Sequence, residues 1–402
     1  MDSEHRRREF LRLSAAATGL ASVSGRAAGE RIAGCPEYIC GTAPEPHEPG
    51  ASDCEGGASG GRDSIDVRGA MYLPARALTF YQMWADYDEA VIERDLGYAR
   101  RVNLNAVRTW TSYEFWKREP KAHERRIDHF LRAAAERGIS VLFSLFEGNG
   151  VWPTDENLTN DNPFTGVGVR SPGNALLADR SRWGEAERFV EWFAGRYGDD
   201  DRLLAVEAMN EPHWHSRSKS FARSMFETLA RNRGSVPLTV GSTSMVNNAT
   251  YLDWGVDALQ FHYNFPRSEE RYRRFLDRMR VLADEFDGPT WLTEWQRVRS
   301  PPFGPCPPND DHTYPNYASL APAIHDSGFG NFFWSLMVKP AYLPPMRGNG
   351  VLNGLFHEDG AVWSLEDARA IKAMSGDPSV DGLEERAEWP EWAAGVKEFA
   401  CR

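Results

Sequence analysis

The 402-residue chain is short of cysteine, of positive charge and of long apolar runs, and each shortage excludes something. The five cysteines, at 35, 40, 54, 306 and 401, include no second CxxC or His pair that would complete a zinc site around Cys35 and Cys40. Three of them sit in the N-terminal segment, and an odd count leaves one thiol free or modified. A net charge of −12 disfavours nucleic acid and anionic membrane as partners, because such binders carry a basic stripe. No stretch reaches the ~20 apolar residues that a permanent membrane span needs. No GxGxxG or GxxxxGK[ST] loop follows a strand, so nothing points to nucleotide phosphates. What the chain does have is aromatic side chains, with 14 Trp, 13 Tyr and 21 Phe. Such rings stack on the apolar faces of sugars, and they also fill large cores.

The first residues read as an address. Arg6-Arg7-Arg8-Glu9-Phe10-Leu11, followed by an Ala-rich stretch from Leu13 to Val23, resembles a twin-arginine export signal. Residues 1–34 are therefore expected to be a signal segment and 35–64, rich in Gly, Pro, Ser and Ala, a linker. The mature protein is then secreted or held at the cell surface. Ile32-Ala33-Gly34-Cys35 has the form of a lipoprotein cleavage box, but Arg26, Glu30 and Arg31 separate it from the apolar run. A lipid anchor on Cys35 is the alternative.

From residue 65 to 402 short apolar runs alternate with amphipathic stretches. Strands are expected at Ile65–Tyr72, Leu104–Trp110, Ile139–Phe146, Leu203–Met209, Val236–Val240, Val256–His262, Thr290–Thr293 and Asn331–Trp334. Helices are expected at Asp88–Arg101, Arg125–Arg137, Trp183–Tyr197, Phe221–Arg231, Arg271–Phe286, Ala318–His325 and Leu365–Met374. Eight βα units predict an α/β fold, a single (β/α)8 TIM barrel with a parallel sheet. There is no internal repeat beyond the βα unit.

The active site of such a barrel forms at the C-terminal ends of its strands. Those ends carry Arg108, Asn210-Glu211-Pro212, His262-Tyr263, Glu294 and Trp334. Two carboxylates among them are what glycoside hydrolysis requires, one to protonate the leaving oxygen and one to attack or to activate water.

These residues resemble a known family. Ala208-Met209-Asn210-Glu211-Pro212, Thr293-Glu294-Trp295, Leu104-Asn105-Ala106-Val107-Arg108 and Trp334 are similar, in order and strand position, to the motifs of retaining β-glycosidases of glycoside hydrolase family five. The resemblance spans roughly Ile65 to Met374. It implies Glu294 as nucleophile, Glu211 as acid/base, Asn210 on the sugar 2-hydroxyl and Arg108 beside the nucleophile. It further implies His262 orienting a carboxylate or a hydroxyl and Trp334 as the floor under the cleaved sugar, with no cofactor and no metal. The substrate would be a β-linked oligo- or polysaccharide, a β-mannan or a β-glucan, and the protein a monomer. Two places depart from the family pattern. His262 and Tyr263 are adjacent where His-x-Tyr is usual, with Asn264 in the third place, and Phe146-Glu147-Gly148 stands where the third strand often ends in His.

Trp110, Trp152, Trp214 and Trp295 are further candidate platforms for sugar rings. His213 and His215 lack an evident third ligand and read as cleft or solvent residues. The long segments 148–179, 295–315 and 338–355 are expected to shape the cleft, since loops beyond ~12–15 residues in a compact domain usually serve function. From a different class, a non-catalytic carbohydrate-binding barrel remains an alternative, although such a barrel need not keep both carboxylates.

Overall fold

The apolar runs form strands because both of their faces are covered. Ala106–Trp110 is buried at every position and Ser140–Ser144 at all but its first, as a parallel strand inside a shell of helices must be. The computed structural model describes residues 66–213, 217–266, 268–297 and 315–399. The expected export signal at 1–34, the expected linker at 35–64, all five cysteines, Trp214 and His215 lie outside those residues. Among the described residues no helix is long and apolar enough to cross a membrane.

Eight parallel strands form the sheet: β1 Arg68–Met71, β2 Ala106–Trp110, β3 Ser140–Ser144, β4 Leu203–Glu207, β5 Leu238–Thr239, β6 Leu259–His262, β7 Thr290–Gln296 and β8 Gly330–Trp334. Their order is β5-β4-β3-β2-β1-β8-β7-β6, so consecutive strands are neighbours and β8 returns to β1. Between β5 and β6 the ladder gives way to other hydrogen bonds. Asp257 N donates to Leu238 O at 2.8 Å, Thr239 Oγ1 to Ala258 O at 2.8 Å, and Gln260 Nε2 to Thr239 Oγ1 at 3.1 Å. Those bonds complete the ring of a (β/α)8 barrel.

Helices cover the outside, each started by local chemistry. Asp88 caps Glu89–Arg101 by accepting from the backbone of Ala90 and Val91, and Arg100 and Arg101 close its last turn. The helix Pro120–Ala135 starts earlier than the expected Arg125, because a proline suits the first helical position. A short helix at Phe80–Ala85, absent from the sequence expectation, is held by a capping box between Thr79 and Gln82. The Thr-x-x-Gln spacing was its signal.

Strand β7 runs on past its expected end at Thr293 to Gln296, and its register is irregular. Phe261 pairs with Leu292 but His262 with Glu294, so β7 carries one extra residue at Thr293. A bulge of this kind re-aims the next side chain. Glu294 thereby turns into the barrel mouth.

The barrel interior packs Met71, Ala106, Trp110, Leu142, Ala205, Ala258, Trp291 and Phe332 together. Phe332 is wholly buried there. Phe332→Ala should lower stability by about 3–5 kcal/mol, because the rigid ring of strands closes poorly on the cavity left behind. Equilibrium denaturation in urea measures it as a lower midpoint at unchanged slope.

Candidate active site

Arg108 leaves β2 pointing into the barrel mouth and is completely buried. Its Nε and Nη2 grip Glu207 of β4 at 2.8–3.0 Å. Its Nη1 donates to Glu294 Oε1 at 2.8 Å, and Nη2 also donates to Asn210 Oδ1 at 2.7 Å. Burial works against the guanidinium charge, and Glu207 and Glu294 outweigh it. A lysine has no planar fork to hold these partners at once.

Glu294 and Glu211 approach each other from β7 and from the turn after β4. One oxygen of each and a ring nitrogen of His262 all lie within 4.8 Å of one another. His262 Nδ1 hydrogen-bonds Glu211 Oε1 and stands 3.5 Å from Glu294 Oε2. The second Glu294 oxygen also accepts from Asn264 Nδ2 at 3.0 Å. The second Glu211 oxygen accepts from Asn149 Nδ2. Glu211 has φ of +41°, an uncommon backbone for a residue with a side chain, and such strain gathers at functional sites. The third strand's loop reaches this backbone only because residue 148 is glycine. Gly148 N donates to Asn210 O at 2.9 Å, and a Cβ there would stand 2.3 Å from the Glu211 carbonyl oxygen.

Burial raises the Glu211 carboxyl, but the charge and hydrogen bond of His262, the Asn149 amide and Arg108 outweigh it and leave the group below its ordinary range. The opposite holds for Glu147. Its carboxyl accepts from both Asn210 Nδ2, at 3.0–3.1 Å, and Asn149 N, at 2.7 Å. Burial together with the charges of Glu211 and Glu294 nevertheless pushes it well above the usual carboxylate range.

Glu211, His262 and Glu294 are the one set of groups among the described residues with the spacing of a metal site. The Arg108 guanidinium, 2.8 Å from Glu294, already supplies the cation there, and a divalent ion would meet its repulsion.

The expected site residues divide in two. Arg108, Asn210, Glu211, His262 and Glu294 converge, and Trp334 stands at the rim, its ring 5.2 Å from that of Tyr342. Tyr263 does not join them. Strand alternation turns it outward, where its ring stacks on Tyr272 at 4.9 Å, and Asn264 takes the inward place. Trp295 is likewise turned into the core, with its Nε1 on Asn331 Oδ1 at 2.9 Å. Trp110 offers no free face: Phe80 stacks on it at 4.2 Å and Arg108 lies over it at 4.6 Å. Trp152 is on the loop after β3, 38% exposed and under the guanidinium of Arg170. Asn149, Asn264 and Glu207 are the members that the sequence reading did not place in the site.

No family model and no curated relative matches the chain. Solved structures do match in fold. One is the exo-β-1,4-mannosidase Op5Man5 from Opitutaceae bacterium strain TAV5, with TM-score 0.56 and 17% identity over 79% of this chain and 61% of that one. A second is the endo-β-1,4-mannanase from Thermotoga petrophila, with TM-score 0.52 and 13% identity over 78% and 76%. A third is a GH5_18 protein from Streptomyces cattleya in complex with GlcNAc, with TM-score 0.53 and 13% identity over 80% and 83%. The chain therefore spans less than two thirds of the mannosidase and shares with all of them the (β/α)8 fold.

Arg108→Ala should lower stability by about 3–5 kcal/mol, because it strands the buried Glu207 carboxylate without a partner. Arg108→Lys should recover part of that stability but little of any activity, since one ammonium cannot hold Glu207 and orient Glu294 together. Thermal unfolding and turnover measured on both variants check the pair.

Proposed function

We propose that the protein is a retaining β-glycoside hydrolase acting on a β-linked oligo- or polysaccharide of mannan or glucan type. The observation that carries the proposal is the approach of Glu211 and Glu294 oxygens to within 4.8 Å, with Arg108 on one carboxylate and His262 on the other. Retaining enzymes hold their carboxyl groups about 5–5.5 Å apart, whereas inverting ones leave about 6.5–9.5 Å for a water. The motif order along the strands, and neighbours in fold that carry mannosidase and mannanase names, support the same reading. The Arg-pair segment at the N-terminus supports action outside the cytoplasm.

In the first step a Glu294 oxygen attacks the anomeric carbon as the bond to the leaving oxygen breaks, and Glu211 gives that oxygen its proton. In the second, water attacks the same carbon, Glu211 takes the water's proton, and the bond to Glu294 breaks. Arg108 and Asn264 fix the attacking carboxylate, which turns an encounter into an oriented displacement. The neighbours of Glu211 favour its ionised form, which is the base of the second step. The first step draws on the protonated form and is therefore favoured toward acid.

A sign follows for pH. The alkaline limb of kcat/KM on substrates with poor leaving groups reports loss of the Glu211 proton. Asn149→Ala removes one of the hydrogen bonds that lower this carboxyl while leaving it buried, so the limb should move to higher pH. A limb that stays in place or moves toward acid would assign the titration to another group.

The covalent step is tested by trapping. Incubation with 2-deoxy-2-fluoro-β-mannosyl and β-glucosyl fluorides should stop turnover and add one glycosyl mass to the peptide carrying Thr290–Arg297. Glu294→Gly should show no adduct and should regain activity on an activated glycoside when azide is added. First-formed product of inverted configuration by NMR, or an adduct elsewhere, defeats the proposal.

A further inference from the structure

A pocket opens beside the carboxylates, over the ends of β1, β2 and β8, where Met71, Trp110 and Trp334 line it. Glu211 follows β4, two strands along the sheet from β2, whereas the pocket lies over β8, β1 and β2. If Glu211 protonates the leaving oxygen, the leaving portion departs past β4, and the sugars on the non-reducing side extend over β8, β1 and β2. The pocket stands on that second path.

Its far side is walled by three loops tied to one another. Lys339, after β8, donates from Nζ to the carbonyls of Leu73, Pro74 and Ala77, after β1, at 3.1, 2.7 and 3.0 Å. Thr79 Oγ1, in the same loop after β1, donates to Leu158 O, in the loop after β3, at 3.1 Å. The ring closes where Gly168 N, in the loop after β3, meets Tyr342 O, after β8, at 3.4 Å. The contact is tight: a Cβ on Gly168 would lie 2.3 Å from a carbon of the Tyr342 ring. The loop after β3 is itself fixed to the barrel, with Ser171 N donating to Glu147 O at 2.9 Å and Glu147 N to Ser171 O at 3.1 Å.

The pocket also presents groups suited to a sugar. Trp110 is 1% exposed, lines the pocket, and its indole N–H has no hydrogen-bond partner. Both of its ring faces are covered, so it meets the pocket by an edge, and Glu147 stands on the same wall.

We infer that the loops after β1, β3 and β8 make a blind pocket that seats the non-reducing end of the substrate, with Tyr342 and Gly168 as its stop. The enzyme then releases a short product of one fixed length from that end and does not cut within chains. This rests on the glycoside hydrolase reading, which the fluoro-sugar trap tests independently of chain length.

The test uses β-linked mannose and glucose hexasaccharides in three forms: free, reduced at the reducing end, and capped by a bulky acetal on the non-reducing-end sugar. The full protein should give one short product from the free and reduced forms at the earliest times. It should cut the capped form on the order of 100-fold more slowly, because a closed pocket rejects added bulk. Tyr342→Ala should narrow that difference by about tenfold or more and spread the product lengths, whereas a merely destabilising change would slow all three forms alike. A ladder of products from the unaltered protein, or cutting of the capped form within about threefold of the free one, overturns the inference while leaving the trap result standing. No hydrolysis of any form together with no fluoro-sugar adduct overturns both.

Discussion

The site hangs on one buried cation. Arg108 has no exposure, and a guanidinium can live there only because each of its edges meets an acceptor: Glu207 on one side, Glu294 on another, Asn210 between them. Desolvating such a charge costs several kcal/mol or more, so its partners are under strong compulsion to stay in place. Those partners come from β4, β7 and the turn after β4, with Arg108 itself on β2. The guanidinium therefore fixes strands from opposite sides of the barrel relative to one another. It also sets the direction in which the Glu294 carboxylate faces. A barrel interior needs no such group for stability, and apolar residues of equal volume often serve as well or better. Its presence is accounted for by the carboxylates it arranges.

Much of the fold was legible because burial leaves a periodic trace. Runs such as Ser140–Ser144 and Ala106–Trp110 are buried almost throughout, with an apolar residue at most positions, and the helices between them carry one apolar stripe each. Ends were less legible. Strand β5 is two residues long where five were expected, because Asp257 and side chains take over the hydrogen bonds at the β5–β6 seam. The bulge at Thr293 has no sequence mark, since it is a matter of register with β6 and β8, which no local pattern encodes. Yet the bulge is what points Glu294 inward.

In the site, residue identities were readable and facing directions were not. Tyr263 next to His262 must point to the other side of the strand, by the two-residue period of an extended chain. The sequence therefore contained the reason for Asn264 to replace it, and Asn264 does donate to Glu294. Trp110 and Trp295 look alike as strand-end indoles, but one lines the pocket by its edge and the other packs against Tyr317 and Phe333. Only the packing around each distinguishes them. Asn149 could not be found by motif, because it reaches Glu211 from a loop whose path depends on the closeness that Gly148 allows.

Glu147 is where charge balance decides the chemistry. Glu207, Glu211, Glu294 and Glu147 crowd around a single guanidinium, and four ionised carboxylates there would repel far beyond what one cation offsets. The group with the weakest claim on that cation is Glu147, whose carboxyl is bonded to amide nitrogens of Asn149 and Asn210 and not to Arg108. Burial and the neighbouring carboxylates raise it accordingly. This arrangement also orients Asn210. Its oxygen must face the guanidinium and its nitrogen must face Glu147, because the flipped amide would set oxygen against oxygen and NH2 against a cation. With the amide locked at both ends, Asn210 has only its remaining N–H and lone pair to spend on a sugar hydroxyl. The carboxyl at the end of β3 thus acts on the substrate first through the amide beside it.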